Sequence, residues 1–377
     1  MPMQIQSATL HRIQIPLKRS FSHALSERSG TDAVLVCLRD DQGNTGWGEV
    51  LPRPYVTGES VESVLTEHAP RLLGGLLGAS LGGRDDAVAQ VARVLADCEG
   101  ALATVTGLEL SLLDLAGKRF GFSLASCLGA HRGPELPAGV VIGFDTKSEK
   151  LARYCAVLRL SKKRHVKIKV GLADDVERCR TVAGVFGPDV PLRLDANAAW
   201  SPEQAVRALA EIAEVCTIHS IEQPVAREDI AGLAKVRRES GVPVMADESV
   251  CSLQDAERLI AADAADIFNV RAGKHGGVLA SRTLCERAQA AGVRLHLGTL
   301  VGETGILSRA AEVFGRCQPG LDCLDGKGQN AWLLQQDVLL QPSEGSGAPS
   351  IDALGLGVEV DPDRVAALRV QPAVTIR

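Results

Sequence analysis

Apolar and polar residues alternate through the first 50 positions of the chain. The segments SATLHRIQIPL and DAVLVCLRD carry apolar side chains at every second position, and DDQGNTGWGEV supplies turn residues before another such segment. Between residues 60 and 130 the spacing changes, because LATVTGLELSLLDLAGKRFG has apolar residues at helical spacing and a closing glycine. The pattern predicts an antiparallel α+β domain over residues 1–130.

From about residue 135, short apolar runs alternate with longer amphipathic segments. Segments such as SPEQAVRALAEIAEV and SLQDAERLIAA each begin at a serine, which is a preferred helix cap. The apolar runs are AGVVIGF, HVKIKVG, PLRLDAN, HSIEQP, PVMADES, IFNVRAG, VRLHLGT and a weaker one near LDCLDG. Eight strand–helix units predict an α/β fold, a (β/α)₈-type barrel over residues 131–345. Residues 346–377 are expected to pack on the first domain. The alternative, a doubly wound sheet, lacks the glycine-rich phosphate loop that would support it.

Composition narrows the classes of function. The chain has 377 residues, a formal net charge of −5 and 3% aromatic residues, which argues against nucleic acid and anionic membranes as partners. No apolar run approaches the roughly 20 residues of a membrane span. The ten cysteines are scattered without a CxxC pair, a pattern typical of reduced thiols in a cytoplasmic protein.

Polar residues end successive runs, and barrel chemistry collects at the carboxyl ends of the strands. Lys167 and Lys169 share one face of the second run. Three acids, Asp195, Glu222 and Asp247, end the next three runs at intervals of 27 and 25 residues, one strand–helix unit each. Neighbouring strands lie about 5 Å apart, so the three carboxylates are expected to converge. Hard oxygen ligands without His or Cys suit Mg²⁺, with Mn²⁺ as the alternative. Each acid alone could instead cap the helix that follows it.

Four motifs, KIKVG, RLDAN, IEQP and MADES, occur in an order and at a spacing that resemble the muconate-lactonizing subgroup of the enolase superfamily. This is the group that also contains mandelate racemase. GWGEVLPRPYVTGES and LELSLLDLAGKRFGFSLASCLG resemble the capping domain of that family, and GLGVEVD resembles its tail. The resemblance implies a modified TIM barrel with an N-terminal α+β cap. It also implies an Mg²⁺-dependent reaction on a small-molecule carboxylate, in a protein that is often a dimer or octamer.

The resemblance also implies roles for individual positions. Lys169 would be the acid/base, and Lys167 would help to hold the substrate carboxylate. Asp195, Glu222 and Asp247 would bind the metal. Asn197 and Glu248 would support these ligands. A proton next to a carboxylate is weakly acidic, so its removal needs a base together with positive charge near the carboxylate oxygens.

The segment FNVRAGKHGGV departs from the family pattern. Members that racemise or epimerise resemble one another in a lysine at the end of the sixth strand, where this chain has Arg271. Lys274 matches an outer lysine of that motif. Arginine is always protonated and is a poor base. The expected reaction is therefore one-base cycloisomerisation, as in muconate lactonization, or a lyase reaction. The alternatives are a dipeptide epimerase or N-acyl amino acid racemase, and, third, a metal-binding barrel without turnover. Arg271 could also simply pair with an acid.

Substrate contacts are less defined. His23 and Arg28, in FSHALSER, fall where the family's capping loop covers the substrate, and Glu303 matches a position that lines the site. Asp322 and Asp325 are a poor match to the Asp-x-Asp that holds the ammonium group in dipeptide-specific members. RPYVTGE, by contrast, resembles the capping loop of some dipeptide epimerases. Substrate class stays open on these motifs.

Overall fold

Three antiparallel strands begin the chain. The computed structural model describes residues 1–23, 26–144, 148–160 and 164–377, and it describes side chains outside 19–28 and 145–149. The strands are β1 (Met3–His23), β2 (Ser26–Asp40) and β3 (Thr45–Val50). Two short strands, β4 (Ser80–Leu81) and the C-terminal β12 (Val374–Ile376), both pair with β1. The tail therefore joins the N-terminal sheet, whereas the predicted boundaries at 130/131 and 345/346 stay predictions.

Helices cover this sheet, and the longest lies directly against β3. They are α1 (Val61–Ser63), a π-helical turn (Val64–His68), α2 (Ala69–Leu73), α3 (Arg84–Ala96), α4 (Leu102–Phe120) and α5 (Leu124–Cys127). A Cβ added at Gly46 would lie 2.3 Å from the Ser111 carbonyl oxygen, and one at Gly48 would lie 2.0 Å from the Gly107 carbonyl oxygen. The two glycines of GWGE are thus what lets the strand touch the helix backbone.

A seven-stranded parallel sheet forms the second layer, with each strand paired to the next in sequence. Its strands are β5 (Val140–Ile142), β6 (Val166–Lys169), β7 (Leu192–Asp195), β8 (Ile218–Glu222), β9 (Val244–Ala246), β10 (Ile267–Val270) and β11 (Arg294–Leu297). The eighth predicted strand is a single residue. Leu324 bridges Leu297 on one edge and Ala138 beside the other edge, which closes the barrel. Left-handed turns at Gly326 and Gly328 end that run at once.

The helices of the barrel follow the strands as the sequence pattern predicts. They are α6 (Ser148–Leu160), α7 (Asp175–Phe186), α8 (Pro202–Ala213), α9 (Ile230–Ser240), α10 (Leu253–Ala261), α11 (Val278–Ala290) and α12 (Gly305–Cys317). A 3₁₀ turn (Ala272–Lys274) precedes α11, and α13 (Gln329–Trp332) and α14 (Pro362–Leu368) follow α12. Ser201 and Ser252 each form a capping box at the predicted helix start. None of the described helices is both long and apolar enough to cross a membrane.

Gly48→Ala should lower the free energy of unfolding by about 3 kcal/mol or more, because the new methyl group would meet backbone atoms that cannot rotate away. Gly184→Ala is the matched control, since Gly184 lies within α7 and, in the part of the chain that the structure describes, no atom outside the local helix backbone lies within 4 Å of an added Cβ. That change should raise stability by up to ~1 kcal/mol. Thermal and denaturant unfolding of both variants measures the difference. Equal effects would contradict the account of the strand–helix contact.

Candidate active site

The lysine pair of β6 points into the barrel and is almost completely buried, with Lys167 5% exposed and Lys169 4% exposed. Lys167 Nζ lies 3.1 Å from Glu222 Oε2, 3.2 Å from Asp195 Oδ2 and 3.3 Å from Asp325 Oδ2. Burial opposes its charge, yet the carboxylates of Glu222 and Asp195 raise its pKa. Lys167 is therefore a fixed positive charge and not a solvated surface lysine.

Lys169 is held by the end of the neighbouring strand. Its Nζ lies 3.2 Å from Asp195 Oδ2 and donates to Asn197 Oδ1. Asn197 in turn donates from Nδ2 to Glu248 Oε1 over 3.2 Å. Asn197 and Ala198 have φ values of 42° and 63°, a left-handed conformation that is uncommon outside glycine and is often found at functional sites.

Strand register brings the predicted acids to one edge of the sheet. Lys169 is paired with Asp195, and Asp195 is paired with Glu222, across three consecutive strands. Asp247 directly follows β9, the next strand along the sheet. All three acids are 2% exposed or less, so each needs a positive partner or a metal ion.

Arg271 and Lys274 supply positive charge from the end of β10. Arg271 Nη2 contacts Asp247 Oδ2 and lies 3.3 Å from Glu222 Oε1, and Lys274 Nζ lies 2.7 Å from Asp247 Oδ1. Burial opposes ionisation of Asp247, but these two cations lower its pKa. A Cβ at Gly298 would lie 2.9 Å from Arg271 Nε, so this glycine makes room for the arginine. Arg271 therefore pairs with two acids, and its part in a reaction stays a prediction.

The donor set fits a hard divalent cation, although the carboxylates are spread around protein cations. Lys167 lies between Asp195 and Glu222, and Arg271 lies between Glu222 and Asp247. The ligand atoms of these three acids do not all lie within 4.8 Å of one another. Among the described residues, the group whose ligand atoms do lie that close together is His296, Cys323 and Asp325. Two buried oxygens beside the acids, Glu248 Oε2 and Asn269 Oδ1, have no hydrogen-bond partner among the described residues. Oxygen donors without sulfur or imidazole suit Mg²⁺.

Two supporting side chains escaped sequence analysis. Gln223 has a φ of 37°, and its Oε1 accepts from the Asp247 and Ser249 backbone N–H groups. Asn269 Nδ2 donates to Glu222 Oε1 over 2.8 Å. Gln223 lies in the motif IEQP and Asn269 in FNVR. In these motifs only the charged residues, Glu222 and Arg271, were predicted to belong to the site. Gln223 therefore fixes the backbone at Asp247, and Asn269 fixes the carboxylate of Glu222.

A second ion network lies on the Lys167 side of the acids. Arg193 Nη2 lies 2.7 and 2.6 Å from the two carboxylate oxygens of Asp325, and His296 Nε2 lies 3.2 Å from Asp325 Oδ2. Burial opposes the negative charge of Asp325, but Arg193 and Lys167 hold the pKa of this carboxyl group well below its usual range. The guanidinium of Arg193 places positive charge where a metal at His296, Cys323 and Asp325 would have to bind.

Asp322 and Asp325 do not form a pair. Asp322 lines a different cavity, beside His219 and Arg294 near the strand starts, whereas Asp325 lies among the barrel cations. In the sequence, Cys323 and not Asp322 lies two residues before Asp325. The two acids face different ends of the barrel, which agrees with their poor match to the Asp-x-Asp pattern.

A cavity of about 410 Å³ opens above the lysine pair. Its polar lining is Lys167, Lys169, Asp195, Asn197, Glu248, Arg271, Asp325 and further polar side chains, and its apolar lining includes Tyr55, Tyr154, Leu158, Leu300, Val301 and Trp332. Glu303 does not line it, since this buried acid instead accepts from the Leu300 backbone N–H over 2.6 Å. The expected substrate contact of Glu303 stays a prediction. His23 and Arg28 lie outside the described side chains.

Comparison with known proteins identifies relatives of this chain. Residues 150–364 match the family described as Enolase C-terminal domain-like. The chain is 31% identical to the L-Ala-D/L-Glu epimerase of Bacillus subtilis (strain 168) over 86% of its length and 88% of that protein. It is also 31% identical to muconate cycloisomerase 1 of Pseudomonas putida, over 74% of each chain. Epimerases of dipeptides recur among the relatives.

Among solved structures, a dipeptide epimerase from Cytophaga hutchinsonii, complexed with Mg and the dipeptide D-Ala-L-Val, superposes with a TM-score of 0.87. That match covers 99% of this chain and 100% of the other, at 26% identity. The predicted modified TIM barrel with an antiparallel cap is therefore confirmed over nearly the whole chain.

Asp195→Asn, Glu222→Gln and Asp247→Asn should each weaken Mn²⁺ binding by about 10-fold or more, because each removes a charged oxygen ligand. Mn²⁺ serves as a paramagnetic substitute for Mg²⁺, and titration followed by electron paramagnetic resonance gives the free ion directly. Asp322→Asn is the matched control, since Asp322 lines the other cavity, and it should bind normally. If Asp322→Asn lost Mn²⁺ binding while the three ligand variants kept it, the assignment of the ligands would be contradicted.

Proposed function

Because this chain belongs to the enolase superfamily, in its mandelate racemase/muconate-lactonizing subgroup, we propose that it is a metal-dependent isomerase that transfers a proton at the carbon next to a substrate carboxylate. Lys169 is the proposed acid/base. The observation that supports this role is its position, in which a buried ammonium lines the cavity beside Asp195 and Asn197.

Each residue has a part in the proposed reaction. Asp195, Glu222 and Asp247 would hold Mg²⁺, which would supply positive charge where the carboxylate oxygens gain electron density. Lys169 would remove or deliver the proton, and Asn197 would keep its ammonium aimed at the cavity. Lys167 would add a fixed positive charge on the same side. The apolar lining would exclude water from the rest of the substrate.

The first candidate reaction is epimerisation of a dipeptide or racemisation of an N-acyl amino acid. The relatives favour it, since dipeptide epimerases recur among them and an N-succinyl-L-Arg/Lys racemase of Bacillus cereus is 27% identical. Sequence reasoning ranked this reaction second. It requires a proton donor on the face opposite Lys169.

Within this candidate, Asp325 favours an uncharged nitrogen on the substrate. An α-ammonium group would need a carboxylate free to receive it. Both oxygens of Asp325 already accept from Arg193, and Lys167 lies 3.3 Å away. This arrangement supports an N-acyl amino acid over a dipeptide with a free amino group.

The second candidate is a one-base reaction, either cycloisomerisation or syn elimination. Arg271 favours it, because its guanidinium lines the cavity at the position of the missing sixth-strand lysine. Burial opposes its charge, but Asp247 and Glu222 raise its pKa further, so it releases no proton. Arg271 would then stabilise negative charge, and Lys169 would carry out every proton transfer. Assembly into a homo-oligomer, a dimer or an octamer, stays a prediction.

Incubation with Mg²⁺ in D₂O tests the function and separates the two candidates. The substrate panel is N-acyl amino acids, dipeptides and cis,cis-muconate, with mass spectrometry and chiral analysis of each product. Lys169→Ala should lower the rate about 10²–10⁴-fold, whereas Lys235→Ala on α9, where the lysine pairs with Glu239 away from the cavity, should leave the rate unchanged. Equal rates in Lys169→Ala and wild type would contradict the role of Lys169.

Deuterium at the α-carbon with inversion selects epimerisation, and a product labelled on one face only selects the one-base reaction. Arg271→Lys restores a titratable amine at the end of β10. If the one-base reading holds, this variant should exchange the α-proton of both enantiomers where the wild type exchanges one. Exchange of both enantiomers by the wild type would overturn that reading.

A further inference from the structure

Glu49 on β3 reaches from the N-terminal cap domain to the barrel. There its carboxylate accepts hydrogen bonds from the first residues of α12. The side chain is fully buried. Its carboxylate accepts from the Thr304 backbone N–H at 2.9 Å, the Thr304 hydroxyl at 2.6 Å and the Leu307 N–H at 3.2 Å. Thr304 is the N-cap residue of α12, so a residue of another domain satisfies N–H groups that a helix start leaves unpaired.

Glu109 on α4 does the same for α11. Its two oxygens accept from the Val278 N–H at 2.6 Å and the Leu279 N–H at 2.9 Å. A Cβ at Gly277 would lie 1.9 Å from Glu109 Oε2, so only glycine leaves room for this carboxylate. One turn earlier on α4, the Thr106 hydroxyl donates to the Ala272 carbonyl oxygen over 3.0 Å.

Both helices begin directly after loops that reach the cavity. The loop before α11 contains Arg271 and Lys274, and the loop before α12 contains Leu300 and Val301. The cap domain makes a further contact with the loop before α12, since Arg53 Nη2 donates to the Val301 carbonyl oxygen over 2.7 Å. Each loop is thus fixed at one end by a barrel strand and at the other by a helix start that the cap holds.

Burial gives these contacts an electrostatic cost. It raises the pKa of Glu49 to about 7 and that of Glu109 to about 8, although the helix N–H donors act in the opposite direction. A carboxyl group that only filled space here would be better replaced by an apolar side chain. The hydrogen bonds to the two helix starts are what these residues provide.

We propose that Glu49 and Glu109 are positioning residues, which from the cap domain fix the loops that present Leu300 and Val301, and Arg271, to the substrate. Glu49 sets part of the apolar wall and hence the fit of the substrate's distal group. Glu109 sets the guanidinium that faces the reacting centre. The kinetic part of this inference rests on the proposed function, whereas the structural part does not.

Glu59 provides a matched control within the cap itself. Its carboxylate accepts from the Ala103 N–H, the Thr104 N–H and the Thr104 hydroxyl, at 2.7, 2.8 and 2.6 Å. The chemistry equals that of Glu49, but the capped helix is α4, which carries Glu109 and Thr106 and so contacts the loop before α11 and not the loop before α12. Glu59→Gln should therefore destabilise the cap domain without changing the loop before α12.

Hydrogen–deuterium exchange on the Mg²⁺-loaded, substrate-free protein tests the structural part. Glu49→Gln should speed amide exchange by 10-fold or more in residues 299–307 and not in 271–279, and Glu109→Gln should do the reverse. Glu59→Gln should not change exchange in residues 299–307. If Glu49→Gln matches Glu59→Gln in residues 299–307, or if Glu109→Gln leaves residues 271–279 as in wild type, the proposal is overturned, whatever the reaction proves to be.

Steady-state kinetics tests the functional part. Glu49→Gln should raise KM by 5-fold or more with kcat within 3-fold, and Glu109→Gln should lower kcat by 10-fold or more. Thr304→Val removes the partner hydroxyl from the barrel side and should reproduce Glu49→Gln, whereas Thr304→Ser should behave as wild type. These two variants decide the matter if Glu49→Gln does not fold. Faster local exchange with wild-type KM and kcat would overturn the positioning role.

Discussion

The site depends on the mutual compensation of buried charges. Two lysines of one short strand lie within the barrel beside carboxylates from three neighbouring strands, and none of these groups is more than 5% exposed. Removing one partner of such a buried pair costs about 3–5 kcal/mol, because the other charge stays behind without compensation. Lys167, with three carboxylates around it, is the centre of this arrangement. The position of Lys169 at the cavity follows from it.

The backbone is shaped to serve that arrangement. Side chains two apart on β6 point to the same side, and the parallel register sets Lys169 beside Asp195 and Asp195 beside Glu222. After β7 and β8 the backbone is left-handed, and there Asn197 contacts Lys169 and Glu248 while Gln223 contacts the Asp247 backbone. Glycines elsewhere leave room for charged side chains, since a Cβ at Gly298 would clash with Arg271 and one at Gly277 would clash with Glu109. The groups of the proposed reaction thus lie at one set of strand ends, and some of their supports come from the N-terminal domain.

Much of this could be predicted from periodicity and spacing. The strand–helix rhythm predicts the barrel, the serine caps predict helix starts, and acids at unit spacing predict convergence at one edge. The family resemblance carried by KIKVG, RLDAN, IEQP and MADES is confirmed by the match over residues 150–364. The eighth strand was overestimated, because turns at Gly326 and Gly328 cut it to one bridge. Contacts between distant segments, such as Arg193 with Asp325 or Glu49 with Thr304, have no local signal and needed the folded chain. The preferred reaction is likewise not fixed by motifs, since the relatives favour the epimerase that the sequence ranked second.

Crystals of the wild-type protein grown with Mn²⁺, and diffraction data collected at the manganese edge, test the central claim most directly. The anomalous signal locates the ion without reference to any assumed reaction. The account predicts one strong peak bonded to Asp195, Glu222 and Asp247, on the side of the barrel where Lys169 lines the cavity. A peak at His296, Cys323 and Asp325 instead, or no peak at saturating Mn²⁺, would contradict it.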